Sequence, residues 1–406
     1  MTQHTSKRRI LILGGGYAGL MAAARSARAG STAEITLVNA SPDFVQRIRL
    51  HEALAGSTPR SFSIPQLLAR RGVRFVQGFV DQLKPERQQV QGRDSAGGNF
   101  TLGYDELILA LGSHTTMPSP EIAAHTVQLD KLPVVTEAAG QLRELAARAG
   151  RVLIVGGGLT GIETATELAE RYPTLRVGLT TSGRLGENYS ANGERYVRQR
   201  FAQLGIQIWE QTAITQVEQG RAWSADGTAL PCDLCVWCGG FAAPSILSQS
   251  GLAVDGYGRV VVDEMLRVVD QPHIFAIGDA AAVSVNGKPI RMSCASALPM
   301  GGHMGNNIRR LVRGQELEPF SMGFAARCVS LGRRDALVQW VAPDDQAKPS
   351  VWTNRRAVYT KELICRATLT VVSQELKLGL PLYGWSKAPA QTQPSQRSHP
   401  AQEPSA

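Results

Sequence analysis

The chain has 406 residues, 43% of them hydrophobic and 19% charged, with six cysteines and a net charge of +9. That apolar fraction supplies sizeable cores and excludes a wholly disordered polypeptide, and the length suits two to three domains of roughly 150 residues. The cysteines are too few for a disulfide scaffold, the apolar run at 10–13 is too short for a signal-peptide core, and no stretch reaches the roughly 18 apolar residues of a spanning helix, so a reduced cytoplasmic setting is expected.

Residues 8–13 (RRILIL) form a short apolar run with a glycine stop, the pattern of a buried parallel strand. The Ala- and Leu-rich stretch 18–29 reads as a helix and 34–38 (EITLV) as a second strand, which makes a βαβ unit. The series recurs: 151–155 (RVLIV) is a strand, 161–171 a helix and 175–179 a strand. Between the copies, 73–80 and 88–90 read as strands of a small antiparallel element, and 104–111 (YDELILAL) as a buried strand. Beyond the second copy, strands are expected at 205–209, 213–217, 234–237, 259–262 and 273–277, then a helix over 301–312. From 320 to about 364 the pattern is mixed and strand-rich. The last 20 residues, rich in Pro, Gln and Ser, have the composition of a disordered tail.

Gly14, Gly16 and Gly19 form G-x-G-x-x-G between a strand and a helix, and Gly156, Gly158 and Gly161 repeat it. The first glycine permits a tight turn, the second lets backbone approach a pyrophosphate, and the third lets the helix pack close to the sheet. The helix N-terminus then meets phosphate with free N–H groups. Two copies in independent strand–turn–helix contexts point to two dinucleotides. The ribose position at the end of the second strand is Asn39 in the first unit and near Thr181 in the second. Thr181, Ser182 and Arg184 make a neutral-to-basic corner, which suggests that the second site takes NADPH at least as well as NADH.

With the first fingerprint, YDELILALGS, VLIVGGGLTGIE, VWCGGF and HIFAIGDAAA occur in this order. The set resembles the pyridine-nucleotide-dependent flavoprotein reductase family, and within it the type II NADH dehydrogenase and ferroptosis-suppressor-like quinone reductase branch, over about residues 8–315. The resemblance implies an α/β fold with two Rossmann-like dinucleotide-binding domains, an FAD domain interrupted by an NAD(P)H domain, plus a small mixed C-terminal region. The corresponding division is a first FAD-binding segment at 1–113, the NAD(P)H-binding domain at 114–240, a second FAD-binding segment at 241–318, the C-terminal region at 319–386 and the tail at 387–406. By the same resemblance FAD occupies the first unit and NAD(P)H the second. Asp279 of GDAAA would bond a ribityl hydroxyl, and Gly112 would line the adenine-dinucleotide pocket, although Leu111 stands where the family usually has threonine. Gly239 would lie where the chain approaches both cofactors, and Glu163 would sit near the nicotinamide, with helix-dipole stabilisation as its plainer role.

The expected activity is NAD(P)H oxidation through FAD, with electrons passing to a quinone or another small-molecule acceptor; the cofactors carry the hydride chemistry. Disulfide reductases of this fold place a C-x₄-C pair beside the flavin, but 39–68 contains no cysteine, so the electrons must leave the flavin directly. Cys232, Cys235 and Cys238 suggest a metal site only superficially. Alternation along a strand would send 232 and 235 to opposite faces, and no metal is expected. The segment 44–52 (FVQRIRLHE) would face the flavin, where Arg47 and Arg49 could bind an acidic substrate and His51 could supply a proton. At 293–304 the quinone-reducing branch usually carries glutamines, and this chain has none. That departure keeps a dedicated oxidoreductase on one organic substrate as an alternative.

A third reading is an apoptosis-inducing-factor-like binding flavoprotein, since 309–406 holds 14 Lys/Arg against 8 Asp/Glu. Nucleic-acid binding is not expected, because aromatics are not interleaved with the basic residues. Residues 361–383 could lie on a bilayer, but their apolar positions make no clean helical stripe, and Gly379 and Pro381 interrupt them. Peripheral membrane contact and a homodimer both stay open.

Overall fold

The computed structural model describes residues 7–389; the tail expected over 387–406 lies outside the described residues from 390 onward. β1 (Arg8–Leu13) runs parallel to β2 (Ala33–Asn39), with Ile10 opposite Ile35 and Leu13 opposite Val38. Its last four residues are fully covered, hence the uninterrupted apolar run in place of an alternating one. Between them, α1 (Tyr17–Ser26) is buried on nearly every side, so small side chains replace the usual polar face. The short α2 (Leu50–Leu54) is wholly buried. β3 (Arg74–Lys84), β4 (Gln89–Asp94) and β5 (Asn99–Gly103) form an antiparallel meander, and β6 (Glu106–Leu109) returns parallel to β1.

The second unit repeats the plan. β7 (Thr126–Gln128), α3 (Leu132–Ala147), β8 (Arg151–Val155), α4 (Leu159–Arg171), β9 (Arg176–Thr180), α5 (Ala191–Gln203), β10 (Gln207–Trp209) and β11 (Leu234–Trp237) follow in turn. The strands make an all-parallel sheet in the order β7-β11-β8-β9-β10. The chain then goes back to the first sheet. β12 (Ile274–Ala276) lies parallel to β6, giving seven strands in the order β12-β6-β1-β2-β3-β4-β5. The fold is therefore mixed α/β with two parallel, Rossmann-like units, the first completed by a late strand.

α6 (Cys294–Leu311) starts seven residues earlier than the helix expected at 301–312, capped by the Ser293 hydroxyl on the Ser296 N–H. It lies close along α1, where a Cβ on Gly301 would collide with the Ala18 carbonyl. β13 (Ala326–Ser330), β14 (Ala336–Val341) and β15 (Ala347–Thr353) form an antiparallel sheet. A 25-residue helix, α7 (Asn354–Leu378), follows and stops at Gly379 in the left-handed region. The sequence offered only an interrupted amphipathic segment here. Three of its buried positions are Lys361, Thr368 and Glu375, and pairing hides their polar groups in place of hydrophobicity.

The most deeply buried of these pairings ties α7 to α1. Arg25 of α1 donates from Nε and Nη2 to both Glu375 oxygens at 2.9 and 2.8 Å, and from Nη2 to the Tyr383 carbonyl at 2.6 Å. Its side chain is 3% exposed and that of Glu375 1%. Removing one partner strands a buried charge, so Arg25→Met is expected to lower stability by about 3–5 kcal/mol in urea unfolding, and adding Glu375→Leu to recover most of it. A single variant within about 0.5 kcal/mol of wild type contradicts this.

Candidate functional site

The two glycine elbows are superimposable in their constraints. Gly14 and Gly156 adopt φ of +109° and +120°. A Cβ on Gly19 would collide with the Gly14 carbonyl, and one on Gly161 with the Gly156 carbonyl. The middle glycines differ: nothing stands within 4 Å of a Cβ built on Gly16 or Gly158, so each leaves open space above a helix start. That space lies in front of the free N–H groups of α1 and α4, a cradle suited to a phosphate. Gly239 closes the second elbow, its N–H 2.8 Å from where a Gly156 Cβ would be.

From the first cradle a cavity of about 230 Å³ runs between the two units, walled by Gly16 and Gly112 from one side and Thr160, Trp237 and Cys238 from the other. Asp279 reaches into it. Its Oδ2 accepts the Ser113 hydroxyl at 2.7 Å, while its buried Oδ1 has no hydrogen-bond partner among the described residues. Burial raises the carboxyl above its ordinary value, with Ser113 opposing. An unsatisfied buried acceptor costs free energy, and a polyol hydroxyl would satisfy it, so the cradle and Asp279 together fit FAD. Arg47 also lines the cavity, held by the Ser113 carbonyl and by Asp130 at 2.7 Å. Asn39 turns to its own loop: Oδ1 accepts the Gly15 N–H at 2.8 Å and Nδ2 donates to the Ser41 carbonyl. One lone pair and one N–H remain for a ribose.

At the second elbow, Thr181 lies against Gly157 at the end of β9. The corner is more acidic than its local sequence. Arg184 is 62% exposed and donates to Glu194 at 2.8 Å, Glu187 accepts the Arg184 N–H, and Glu210 accepts the Leu185 N–H. Glu194 and Glu210 come from later elements, out of reach of a reading based on neighbours.

Neither Glu163 nor His51 lines the cavity; Glu163 stands one turn of α4 beyond Thr160, which does, and His51 of α2 lies against it. Glu163 Oε1 accepts the Ser330 N–H at 3.0 Å and pairs with Lys361 Nζ at 3.3 Å, and Oε2 is 3.8 Å from His51 Nδ1. His51 is 2% exposed, and its Nε2 has no hydrogen-bond partner among the described residues. Burial pushes its imidazole down to about 4 against the pull of Glu163. Lys361 resists its own desolvation because Glu163 holds its proton. Sequence reasoning missed Lys361, Ser330 and Arg333, which meet α4 from more than 160 residues away.

Cys232 and Cys235 do not diverge as strand alternation suggested. β11 begins at Leu234, so Cys232 sits in the connection before it, and both thiols are buried in one apolar cluster. Cys238 lines the cavity, 3.8 Å from the Thr164 hydroxyl, its thiol pushed up to about 12 by burial. Among the described residues no three His, Cys, Asp or Glu side chains converge as metal ligands.

Residues 8–301 match the family model of the pyridine nucleotide-disulphide oxidoreductases. The chain is 28% identical over 380 residues to an NADH dehydrogenase-like protein of Mycobacterium tuberculosis, covering 86% of this chain and 94% of that one. It is 26% identical over 364 residues to the type II NADH:quinone oxidoreductase of Staphylococcus aureus, covering 82% and 89%. Its fold matches NDH2 of Plasmodium falciparum in complex with NADH with a TM-score of 0.79, at 14% identity over 92% of this chain and 97% of that one.

His51 makes the stability of this region depend on pH. Its value in the fold, about 4, is below the ordinary 6.5, so the unfolded chain takes up the proton first as pH falls. Stability present above pH 6.5 is therefore lost progressively between 6.5 and 4, by about 3 kcal/mol in all. Urea unfolding across that window is expected to show His51→Gln losing less stability than wild type by that amount; parallel curves refute it.

Proposed function

The chain belongs to the pyridine nucleotide-disulphide oxidoreductase family, and from that footing we propose that it oxidises NADH through bound FAD and delivers the electrons to a quinone or another small organic acceptor. The observation that carries this reading is the first phosphate cradle opening into a cavity that holds the unsatisfied Asp279 Oδ1 and that the first turn of α4, after the second elbow, reaches through Thr160. When bound, the two coenzymes supply hydride transfer. The chain's role is to orient and to keep water out. Gly14, Gly16 and Gly19 would seat the FAD pyrophosphate, with Asn39 at its ribose, Asp279 at the ribityl chain and Gly112 along the wall. Gly156, Gly158 and Gly161 would seat the nicotinamide coenzyme, with Thr181 and Arg184 at its ribose and Gly239 closing the turn.

Glu163 would hold or release a proton at Oε2, beside the cavity wall formed by Thr160. His51, neutral at pH 7, lies 3.8 Å from that carboxylate and fills the space beside it. Lys361, on α7, ties the same carboxylate to the C-terminal region. The FAD half would comprise 1–113 and 241–318, with the NAD(P)H unit at 114–240 and α7 packed on α1 of the FAD half. The face of α7 bearing Tyr359 and Leu363, 67% and 69% exposed, with Arg355, Arg356 and Arg366, suits contact with an anionic bilayer, from which a quinone would arrive. Among the described residues no helix is long and apolar enough to cross a membrane.

The carboxylates of Glu187, Glu194 and Glu210 around Arg184 disfavour a 2′-phosphate, so NADH is the expected donor. Arg47 in the cavity, with no glutamine over 293–304, supports a second reading in which one acidic organic substrate replaces the quinone.

Purified protein is expected to be yellow and to bleach anaerobically with NADH, then recover its colour on adding a soluble quinone. A colourless protein that takes up no added flavin refutes the proposal, and bleaching without quinone recovery moves it to the second reading. The kcat/KM for NADH is expected to exceed that for NADPH by about tenfold or more.

A further inference from the structure

The acidic residue that would read a ribose diol is missing from the end of β9, where Thr181 stands. The loop that follows supplies one from six residues further on. Gly186 turns with φ of +82°, Leu185 before it is buried, and the chain doubles back so that Glu187 comes over Gly183. A Cβ built on Gly183 would lie 2.7 and 2.8 Å from the two Glu187 carboxylate oxygens. The Gly183 N–H donates to Thr181 Oγ1 at 3.3 Å, and that hydroxyl lies 2.7 Å from where a Gly157 Cβ would be. Gly157, Thr181, Gly183 and Glu187 therefore follow one another outward from the second elbow.

The charges around Glu187 are committed to one another. Arg184 Nη2 and Arg198 Nε both donate to Glu194 Oε1, at 2.8 and 3.1 Å. Glu210 Oε1 accepts Arg198 Nη2 at 2.5 Å and the Leu185 N–H at 2.6 Å. Glu187 differs from both of these acids. Its Oε2 accepts the Arg184 N–H at 3.1 Å, and its carboxylate has no ion pair among the described residues. The side chain is exposed, so both oxygens keep lone pairs open to a ligand.

We propose that Glu187 is the specificity-determining residue of the second elbow, taking the adenosine ribose hydroxyls of NADH on its carboxylate and excluding the 2′-phosphate of NADPH. This rests on the NADH-oxidising reading above and names the side chain that enforces it. A carboxylate accepts from two hydroxyls at once, and such charge-assisted bonds are stronger than neutral ones. A 2′-phosphate removes one of those donors and brings about two negative charges to the same point at neutral pH. The Arg184 guanidinium does not offset them, because Glu194 already holds it. Selectivity then comes from repulsion of the wrong coenzyme as well as attraction of the right one.

The test compares wild type, Glu187→Gln, Glu187→Ala and Glu187→Arg, all as flavin-loaded protein. Calorimetric titration with NAD+ and with NADP+ reads equilibrium binding without turnover, and stopped-flow flavin reduction is followed over a range of NADH and NADPH concentrations. Glu187→Ala is expected to weaken NAD+ about tenfold and to tighten NADP+ about fivefold. Glu187→Gln keeps an acceptor without the charge, so it tightens NADP+ as much and weakens NAD+ less. Glu187→Arg reverses the preference. The change falls on the half-saturating NADH concentration, while the limiting reduction rate stays within about twofold of wild type, because the adenosine ribose is remote from the reacting ring. A ratio of NAD+ to NADP+ affinity within about threefold of wild type in both Glu187→Ala and Glu187→Arg overturns the proposal. A loss confined to the limiting rate also overturns it, since the loop would then act on the fold of the site and not on the ribose. Should Glu187→Ala not fold, the Gln and Arg variants decide by the same ratio. If wild type binds neither dinucleotide and NADH leaves its flavin oxidised, the NADH-oxidising reading fails and the proposal falls with it. Unchanged ratios in a protein that NADH still reduces overturn the proposal alone.

Discussion

The position of one carbonyl oxygen governs this molecule, and it does so twice. At residues 14 and 156 the backbone turns with positive φ and sets its carbonyl where the side chain of the third glycine, 19 or 161, would otherwise stand. Only glycine leaves room there, so α1 and α4 start directly over the ends of β1 and β8. The helix N-termini then point their free N–H groups at one place in each unit, and the cavity lies between those places. Every further assignment, from Asp279 to Glu163, depends on that placement.

The second constraint is electrostatic. Helices α2 and α4 meet through buried Leu50, Leu54, Ile162 and Leu168, and charged contacts of Glu52, Glu163, Glu167, Arg333 and Lys361 add the turn after β13 and α7 to that junction. Such contacts gain little net stability over well-packed hydrophobes, but they tolerate only a narrow set of relative positions, because a shifted charge loses its partner without regaining water. His51 sits within that junction as a neutral group, kept so by burial.

Much of the fold was legible because both βαβ units are local. The runs at 8–13 and 151–155, their glycines and the following helices each lie within about 30 residues, and periodicity resolves elements on that scale. The same holds for Asp279, which follows a strand directly. Legibility failed where a residue's surroundings arrive from far along the chain. Helix α7 hides Lys361 and Glu375 beneath distant partners, so its buried face carries charge and looks like no helical stripe. The acidic character around Arg184 comes from Glu194 and Glu210, and the shared cluster of Cys232 and Cys235 from a strand that starts two residues later than alternation assumes.

The clasp between Arg25 and Glu375 spans 350 residues of chain. Arg25 leaves the ribosome 350 residues ahead of its counter-charge. While the middle of the protein is being made, α1 carries an uncompensated cation at a surface destined to be sealed, and α6 and α7 are still missing from it. The first unit can therefore pair its opening strands early, yet its coenzyme pocket has an unfinished back wall until α6 has been made.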